Sequence, residues 1–234
     1  MQSAIEKIGE LVKDIPGWSP EDQLFALYML AISTSHLRGD IWEIGSWCGR
    51  SSVVLAKALK DSGGGVLHCI DLFPEKNDWR KNADGTFSFT VTLSGKEYGG
   101  YELQTVWPDP YERDIAPLYE KHGASLERIF RKHVEASGHG DVVQHYRGVA
   151  PEYAKNYRGR LRFAFIDGDH SYESVCADIA AVERSLVEGG WMAFDDAYSS
   201  YEGVDRAIDE CIVRSARYEC CQQLTRKLFV ARKV

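Results

Sequence analysis

The stretch Trp42-Glu43-Ile44-Gly45-Ser46-Trp47-Cys48-Gly49-Arg50-Ser51-Ser52 decides the fold. A short apolar run ending at Ile44 reads as a strand, and the apolar spacing from Ser51 onward (Val53, Val54, Leu55, Ala58, Leu59) reads as a helix. A strand that breaks into a glycine-containing turn and then a helix sets backbone N–H groups and a helix N-terminus side by side, where an α/β protein holds a charged or polar cofactor. The spacing is Gly45-x-x-x-Gly49, not the Gly-x-Gly-x-x-Gly of a dinucleotide fingerprint. On its own it is also compatible with an ordinary βα turn. Two later stretches argue against that plain reading: Phe165-Ile166-Asp167-Gly168-Asp169-His170 and Ala193-Phe194-Asp195-Asp196.

Outward from this loop a strand–helix rhythm continues. Gly63-Gly64-Gly65 turns the chain into a strand over 66–71 that closes on Asp71, 26 positions beyond Gly45. An acid at the end of a second parallel strand is the acceptor expected for ribose hydroxyls. Further strands are expected over 142–148, 161–167 and 191–194, with helices over 51–60, 125–136, 151–156, 172–186 and 202–214. Residues 218–224 and 227–232 read as an antiparallel pair turning at Thr225-Arg226. The expected architecture is a Rossmann-like, doubly wound α/β fold: a mostly parallel, seven-stranded sheet with an antiparallel C-terminal edge hairpin.

Two segments stand outside the rhythm. Residues 1–38 hold two helix patterns, one over 2–15 stopped by Pro16-Gly17 and one introduced by Ser19-Pro20 as N-cap and first helical position. They read as a helical cover on an α/β core spanning 40–234, the whole being one domain of 234 residues. Residues 74–112 are rich in Gly, Asn, Asp and Thr and carry Trp79, Phe87, Phe89, Tyr98, Tyr101, Trp107 and Tyr111. A connection this long is an insertion or lid, its rings lining a pocket, stapling the segment to the body, or forming a contact between copies in a homo-oligomer. Alternation over 86–91 predicts one strand within it.

Composition narrows the function classes. An apolar fraction of 44%, a charged fraction of 27% and a formal charge of −7 describe a soluble globular chain. That charge argues against binding nucleic acid or an anionic membrane. No apolar run approaches the length of a membrane span, and Met1–Lys7 shows no basic segment followed by an apolar one, so the expected compartment is the cytoplasm. Cys48, Cys69, Cys176 and Cys211 are scattered among apolar residues, and Cys220-Cys221 are adjacent, so the spacing favours neither zinc nor a stabilising disulfide.

The chemistry gathers at strand ends. Asp167, Asp195 and Asp196 close neighbouring strands, and three carboxylates converging there repel one another unless a cation sits between them. All-oxygen ligation suits a hard ion, Mg²⁺ first. His170, in the loop after Asp167, is a candidate general base. Asp169 is placed to cap the next helix, while His68 and His145 lie within strand patterns and read as structural.

These stretches resemble those of class I S-adenosylmethionine-dependent methyltransferases, in particular the group with a Phe-Ile-Asp-Gly-Asp-His-Ser-Tyr-Glu signature, here residues 165–173. Residues 43–51 are also similar to the first cofactor loop of the catechol and caffeoyl-CoA O-methyltransferases. The resemblance covers about residues 40–72 and 140–234. It implies that Glu43, Gly45, Trp47, Gly49 and Ser51 surround the methionine part of S-adenosylmethionine and that Asp71 binds its ribose. It implies Asp167, Asp195 and Asp196 as ligands of Mg²⁺ or another divalent cation, with Asp167 and His170 as the catalytic pair. Asp196 stands where the catechol and caffeoyl-CoA enzymes have asparagine, and residues 74–112 have no counterpart in them. The implied activity is metal-dependent methyl transfer to a hydroxyl of a small molecule: a natural-product sugar, a diol or a phenol. A metal-independent methyltransferase, or a non-methylating relative that binds the same cofactor, is the alternative. A nicotinamide-dependent oxidoreductase is disfavoured by the missing pyrophosphate fingerprint.

Overall fold

The computed structural model describes residues 3–123 and 125–234. In chain order, α1 (Ala4–Val12) and α2 (Glu21–Ser33) precede β1 (Asp40–Ile44), α3 (Arg50–Ser62) and β2 (Leu67–Asp71). The insertion supplies β3 (Trp79–Lys81), β4 (Phe87–Leu93) and β5 (Lys96–Gly100). A single turn α4 (Pro108–Pro110) then runs through a π-turn, Tyr111–Ile115, into α5 (Ala116–His122). There follow α6 (Leu126–Ala136), β6 (Val143–Arg147), α7 (Ala150–Ala154), β7 (Leu161–Ile166), α8 (Tyr172–Glu183) and β8 (Leu186–Phe194). Last come α9 (Glu202–Ile208), which continues as a π-turn over Asp209–Val213, then β9 (Tyr218–Gln223) and β10 (Phe229–Lys233). No helix among the described residues is long and apolar enough to cross a membrane.

The main sheet has seven strands in the order β6-β2-β1-β7-β8-β10-β9. The pairs from β6 through β8 are parallel, and β10 joins β8 and β9 antiparallel. The doubly wound sheet with its antiparallel edge is therefore as the sequence predicts. Alternate residues of each strand feed two cores. Ile41, Cys69, Phe163 and Phe165 pack towards α1, α2, α3 and α6, while Trp42, Ile44, Ala164 and Ile166 pack towards α7, α8 and α9. Strands buried on both faces read as near-continuous apolar runs, which is why β7, broken only by Arg162, is legible.

Three local details differ from expectation. The residue before α2 is Pro20, which caps it without a side-chain hydrogen bond, and buried Ser19 lies one position earlier. The strand expected at 191–194 begins at Leu186 and runs through Gly189 and Gly190. Its register against β7 shifts there, and Gly189 has φ +78°, so the glycines mark a bulge and not a strand boundary. The final strand starts at Phe229, which leaves Lys227 in the turn.

The N-terminal helices are fastened to the cofactor loop by Arg50. Its Nη1 donates to the carbonyls of Val12 (2.7 Å) and Ile15 (2.8 Å), and its Nε donates to that of Ser19 (3.1 Å). One guanidinium thus satisfies carbonyls left over at the end of α1 and fixes the path of residues 13–19. The insertion forms its own antiparallel sheet, ordered β3-β4-β5. Only its middle strand was foreseen. Trp79 Nε1 donates to Tyr119 Oη (2.9 Å), Tyr119 Oη donates to the Pro74 carbonyl (2.8 Å), and Phe87 stacks on Tyr111 with ring centres 3.7 Å apart. The Trp79–Tyr119 bond staples the segment to α5, and the Phe87–Tyr111 stack holds the segment to itself.

Candidate active site

A cavity of about 760 Å³ opens over the carboxyl ends of β1, β2, β7 and β8, within the range of small-molecule sites. Its floor is the loop after β1, from Ile44 to Ser51, together with Asp71 and Leu72 at the end of β2 and Gly148–Pro151 after β6. Residues 16–19 form one flank. Asp167, His170, Asp195, Asp196 and Lys227 form the far end, and Tyr98–Tyr101 with Gln104–Trp107 of the insertion form the roof. Gln104 Nε2 donates to the Ser200 carbonyl (3.2 Å), tying the roof to the loop that follows Asp196.

The loop after β1 is shaped by backbone constraints. Gly45 has φ +87° and Gly49, the N-cap of α3, has φ +90°, both in the left-handed region that glycine occupies without penalty. A β-carbon at Gly49 would meet the Phe130 ring, and the residue does not line the cavity. Trp47, Tyr101 and Asp196, all on the cavity wall, have φ of 45°, 55° and 54°. Non-glycine residues in that region each cost about 1 kcal/mol or more, and such strain gathers at binding sites.

The remaining cofactor candidates divide. Gly45, Trp47, Ser51 and Asp71 line the cavity. Asp71 Oδ2 accepts from the Trp47 N–H (2.9 Å) and Oδ1 from that of Phe73 (2.5 Å), so this carboxylate also sets the loop's shape. Burial raises its pKa, against the opposing pull of those N–H groups. Glu43 is fully buried and lies off the cavity wall. Ser52 Oγ and Cys69 Sγ donate to its Oε2, the latter at 3.4 Å, and burial drives its pKa upward. The pleat explains this placement: Glu43 shares the face of Ile41, beneath the start of α3.

At the far end the backbone N–H of Asp167 donates to the Ile44 carbonyl (2.8 Å) and that of Asp195 to the Ile166 carbonyl (3.0 Å), so sheet pairing itself converges the acids. Burial and the neighbouring Asp195 raise the Asp167 carboxyl well above its ordinary value. Asp195 Oδ1 accepts from Gln23 Nε2 (2.9 Å) and Oδ2 from Lys227 Nζ (2.8 Å). Asp196 Oδ1 accepts from the same ammonium (3.1 Å), and its Oδ2 lies 3.2 Å from His170 Nε2. Burial alone would raise the Asp196 carboxyl, but His170 and Lys227 outweigh it and the net shift is downward. The His170 ring is stacked on Tyr201 at 4.0 Å and faces Tyr101 edge-on at 6.2 Å.

Asp169 does not cap α8 itself. Ser171 does, accepting from the Ser174 N–H, while Asp169 Oδ2 accepts from the N–H (3.1 Å) and hydroxyl (2.6 Å) of Ser171. His68 bonds Asp40 and Tyr153, and His145 bonds Glu127, all away from the cavity. Sequence reasoning missed Gln23, Arg50 and Lys227. Each acts across a long separation, 172 residues between Gln23 and Asp195, and no local pattern marks them. Tyr101 was visible only as one ring among seven in the insertion.

Residues 42–197 match the family described as a methyltransferase domain. That stretch is two-thirds of the chain, and the protein belongs to this family. Its structure is similar to that of the O-methyltransferase NovP, with a TM-score of 0.63 at 14% identity over 93% of this chain and 83% of that one. An O-methyltransferase from Bacillus cereus, solved in complex with SAH, gives 0.59 at 17% identity, covering 100% and 91%. The calicheamicin methyltransferase CalS11 gives 0.59 at 18%, covering 99% and 94%. At these identities the likeness is one of fold.

Proposed function

We propose that this protein transfers a methyl group from S-adenosylmethionine to a hydroxyl oxygen of a small molecule. The observation that carries the reading is His170, clamped between two tyrosines against Asp196 at the end of a cavity whose other end holds Asp71. The cofactor supplies a methyl group on a positively charged sulfur. Asp71 fits its ribose hydroxyls, and the loop from Gly45 to Ser51 fits its methionine part. The protein's task is then alignment and proton removal. With Nε2–H donated to Asp196, Nδ1 of His170 is left to take the acceptor's proton, and the carboxylate offsets the imidazolium charge. With the cofactor bound there, the acceptor oxygen would take the methyl carbon from the sulfur, and His170 would hold the proton that the oxygen gives up. For the acceptor class, CalS11 is named as a TDP-rhamnose 3′-O-methyltransferase. A sugar, diol or phenol is the class we infer for this chain, and the aromatic roof suits a ring-bearing acceptor.

A divalent ion could also take part. Asp167, His170 and Asp196 each offer one atom, all within 4.8 Å of one another, a cluster compatible with a hard ion. The trio Asp167, Asp195 and Asp196 expected from sequence fits poorly with the side chains as they stand. Both Asp195 oxygens and one Asp196 oxygen already accept hydrogen bonds from Gln23 and Lys227.

Calorimetry with S-adenosylmethionine, its demethylated product and NAD tests the cofactor. Micromolar binding of the first two with negligible NAD binding is expected, and tighter NAD binding would sink the assignment. Incubation with panels of nucleotide sugars and phenols, read by mass spectrometry for added methyl groups, identifies the acceptor. His170→Ala should then lower kcat without weakening product-cofactor binding, and least at high pH, where the acceptor loses its proton unaided.

A further inference from the structure

Converging strand-end carboxylates call for a cation, and this chain brings its own. Lys227 Nζ lies 2.8 Å from Asp195 Oδ2 and 3.1 Å from Asp196 Oδ1, with its side chain only 19% exposed and on the cavity wall. The lysine is not a surface side chain that has swung in. Its turn is stitched to the residue after Asp196: the Ala197 N–H donates to the Lys227 carbonyl (3.0 Å) and Leu224 N–H to that of Leu228 (2.8 Å). Gln223 Nε2 donates to the Arg226 carbonyl (2.6 Å), and the Leu228 N–H to Thr225 Oγ1 (3.2 Å). From the opposite side Gln23, itself fully buried, holds the remaining oxygen of Asp195. The two acids are thereby clamped in one geometry by groups from both ends of the fold.

We propose that the Lys227 ammonium takes the place of the divalent ion that the aspartates at these strand ends suggest, so that the site works without one. The inference rests on the methyl-transfer reading above. An ammonium has three N–H groups, and two are committed to Asp195 and Asp196. The third is free to donate to an oxygen of the acceptor, the orienting role a metal would otherwise fill. The fixed positive charge offsets the acids beside it and favours the anionic character that develops on that oxygen as His170 takes its proton. A divalent ion entering the same cluster would face the ammonium at close range and would have to displace its hydrogen bonds. Lys227 thus both compensates the charge of the two acids and contacts the acceptor.

The test titrates Mn²⁺ into chelator-stripped wild-type protein and into Lys227→Met, followed by electron paramagnetic resonance, with calorimetric binding of the demethylated cofactor product as the control for an intact fold. Wild type should show no Mn²⁺ affinity below millimolar. Lys227→Met should gain at least tenfold, and a second substitution, Asp196→Asn, should abolish the gain. Product-cofactor affinity should stay within twofold throughout. If Lys227→Met fails that control, Lys227→Gln serves in its place. One equivalent of Mn²⁺ bound to wild type at micromolar affinity would overturn the proposal. So would a Lys227→Met or Lys227→Gln protein that folds and still takes up no Mn²⁺, since the ammonium would then not be what occupies the site. Failure of wild type to bind the product cofactor would instead count against methyl transfer itself.

Discussion

The β-carbon that Gly45 lacks would lie 1.7 Å from the carbonyl oxygen of Asp167. The ends of β1 and β7 can approach this closely only because residue 45 has no side chain, and its φ of +87° adds a second penalty for any other residue. Gly45→Ala should therefore destabilise the protein by about 3 kcal/mol or more, at the high end for a single substitution. Urea unfolding of the variant measures it, and a change below about 1 kcal/mol would show that the two strand ends move apart freely.

Arg50 donates to three carbonyls from three positions in the N-terminal segment. Arg50→Met keeps much of the apolar stem and removes all three. Amide exchange over residues 4–20 should accelerate, and affinity for the product cofactor should fall about tenfold, roughly 1.4 kcal/mol, because residues 16–19 form a cavity wall. Unchanged exchange would mean that α1 and α2 are held by apolar packing alone.

Asp178 of α8 is buried, and burial together with nearby Asp169 pushes its pKa up to about 8. A carboxyl raised in the folded state holds its proton to higher pH than it does unfolded. Its contribution to stability is thus fully present below the ordinary Asp range and is lost as pH rises to about 8. Asp178→Asn removes that loss. The variant should be more stable than wild type at pH 8–9 by roughly 2 kcal/mol, a rise in Tm of about 4–8 °C for a chain of this size, and the advantage should vanish near pH 4. A constant difference across that range would assign the effect to packing.

Two tryptophans of the insertion should behave oppositely. Trp79 is buried and bonded to Tyr119, whereas Trp107 is 69% exposed at the cavity roof. Trp79→Ala should cost about 3–5 kcal/mol of stability. Trp107→Ala should leave Tm within a degree or two and raise the acceptor's KM. Steady-state kinetics and thermal melts on both variants separate the roles, and a Trp107→Ala enzyme with unaltered KM would take that ring off the substrate's path.

How much of this was legible in the sequence follows from the range of the forces involved. The strand ending at Ile44, the left-handed turns at Gly45 and Gly49, and the acids at 71, 167, 195 and 196 are local signals, because apolar runs, glycines and strand-closing acids are contiguous in sequence. The start of β8 was less legible, because Gly189 and Gly190 look like a strand boundary until the register of the neighbouring strand is known. The side of the sheet on which Glu43 falls depends on the pleat, and a one-residue choice there decides between cavity and core. Gln23, Arg50 and Lys227 were beyond reach for a different reason. A single long polar side chain can serve almost any partner, and only the folded chain selects which.

The strand order has a consequence for how the protein is made. β10 lies between β8 and β9, so β9 leaves the ribosome before the strand that must separate it from the rest of the sheet. Until residues 229–233 have emerged, β8 presents an open edge, and β9 has no partner to pair with. Lys227 arrives just ahead of that closing strand. The end of the cavity that holds Asp195 and Asp196 therefore lacks the Lys227 ammonium until the closing strand follows it into the sheet.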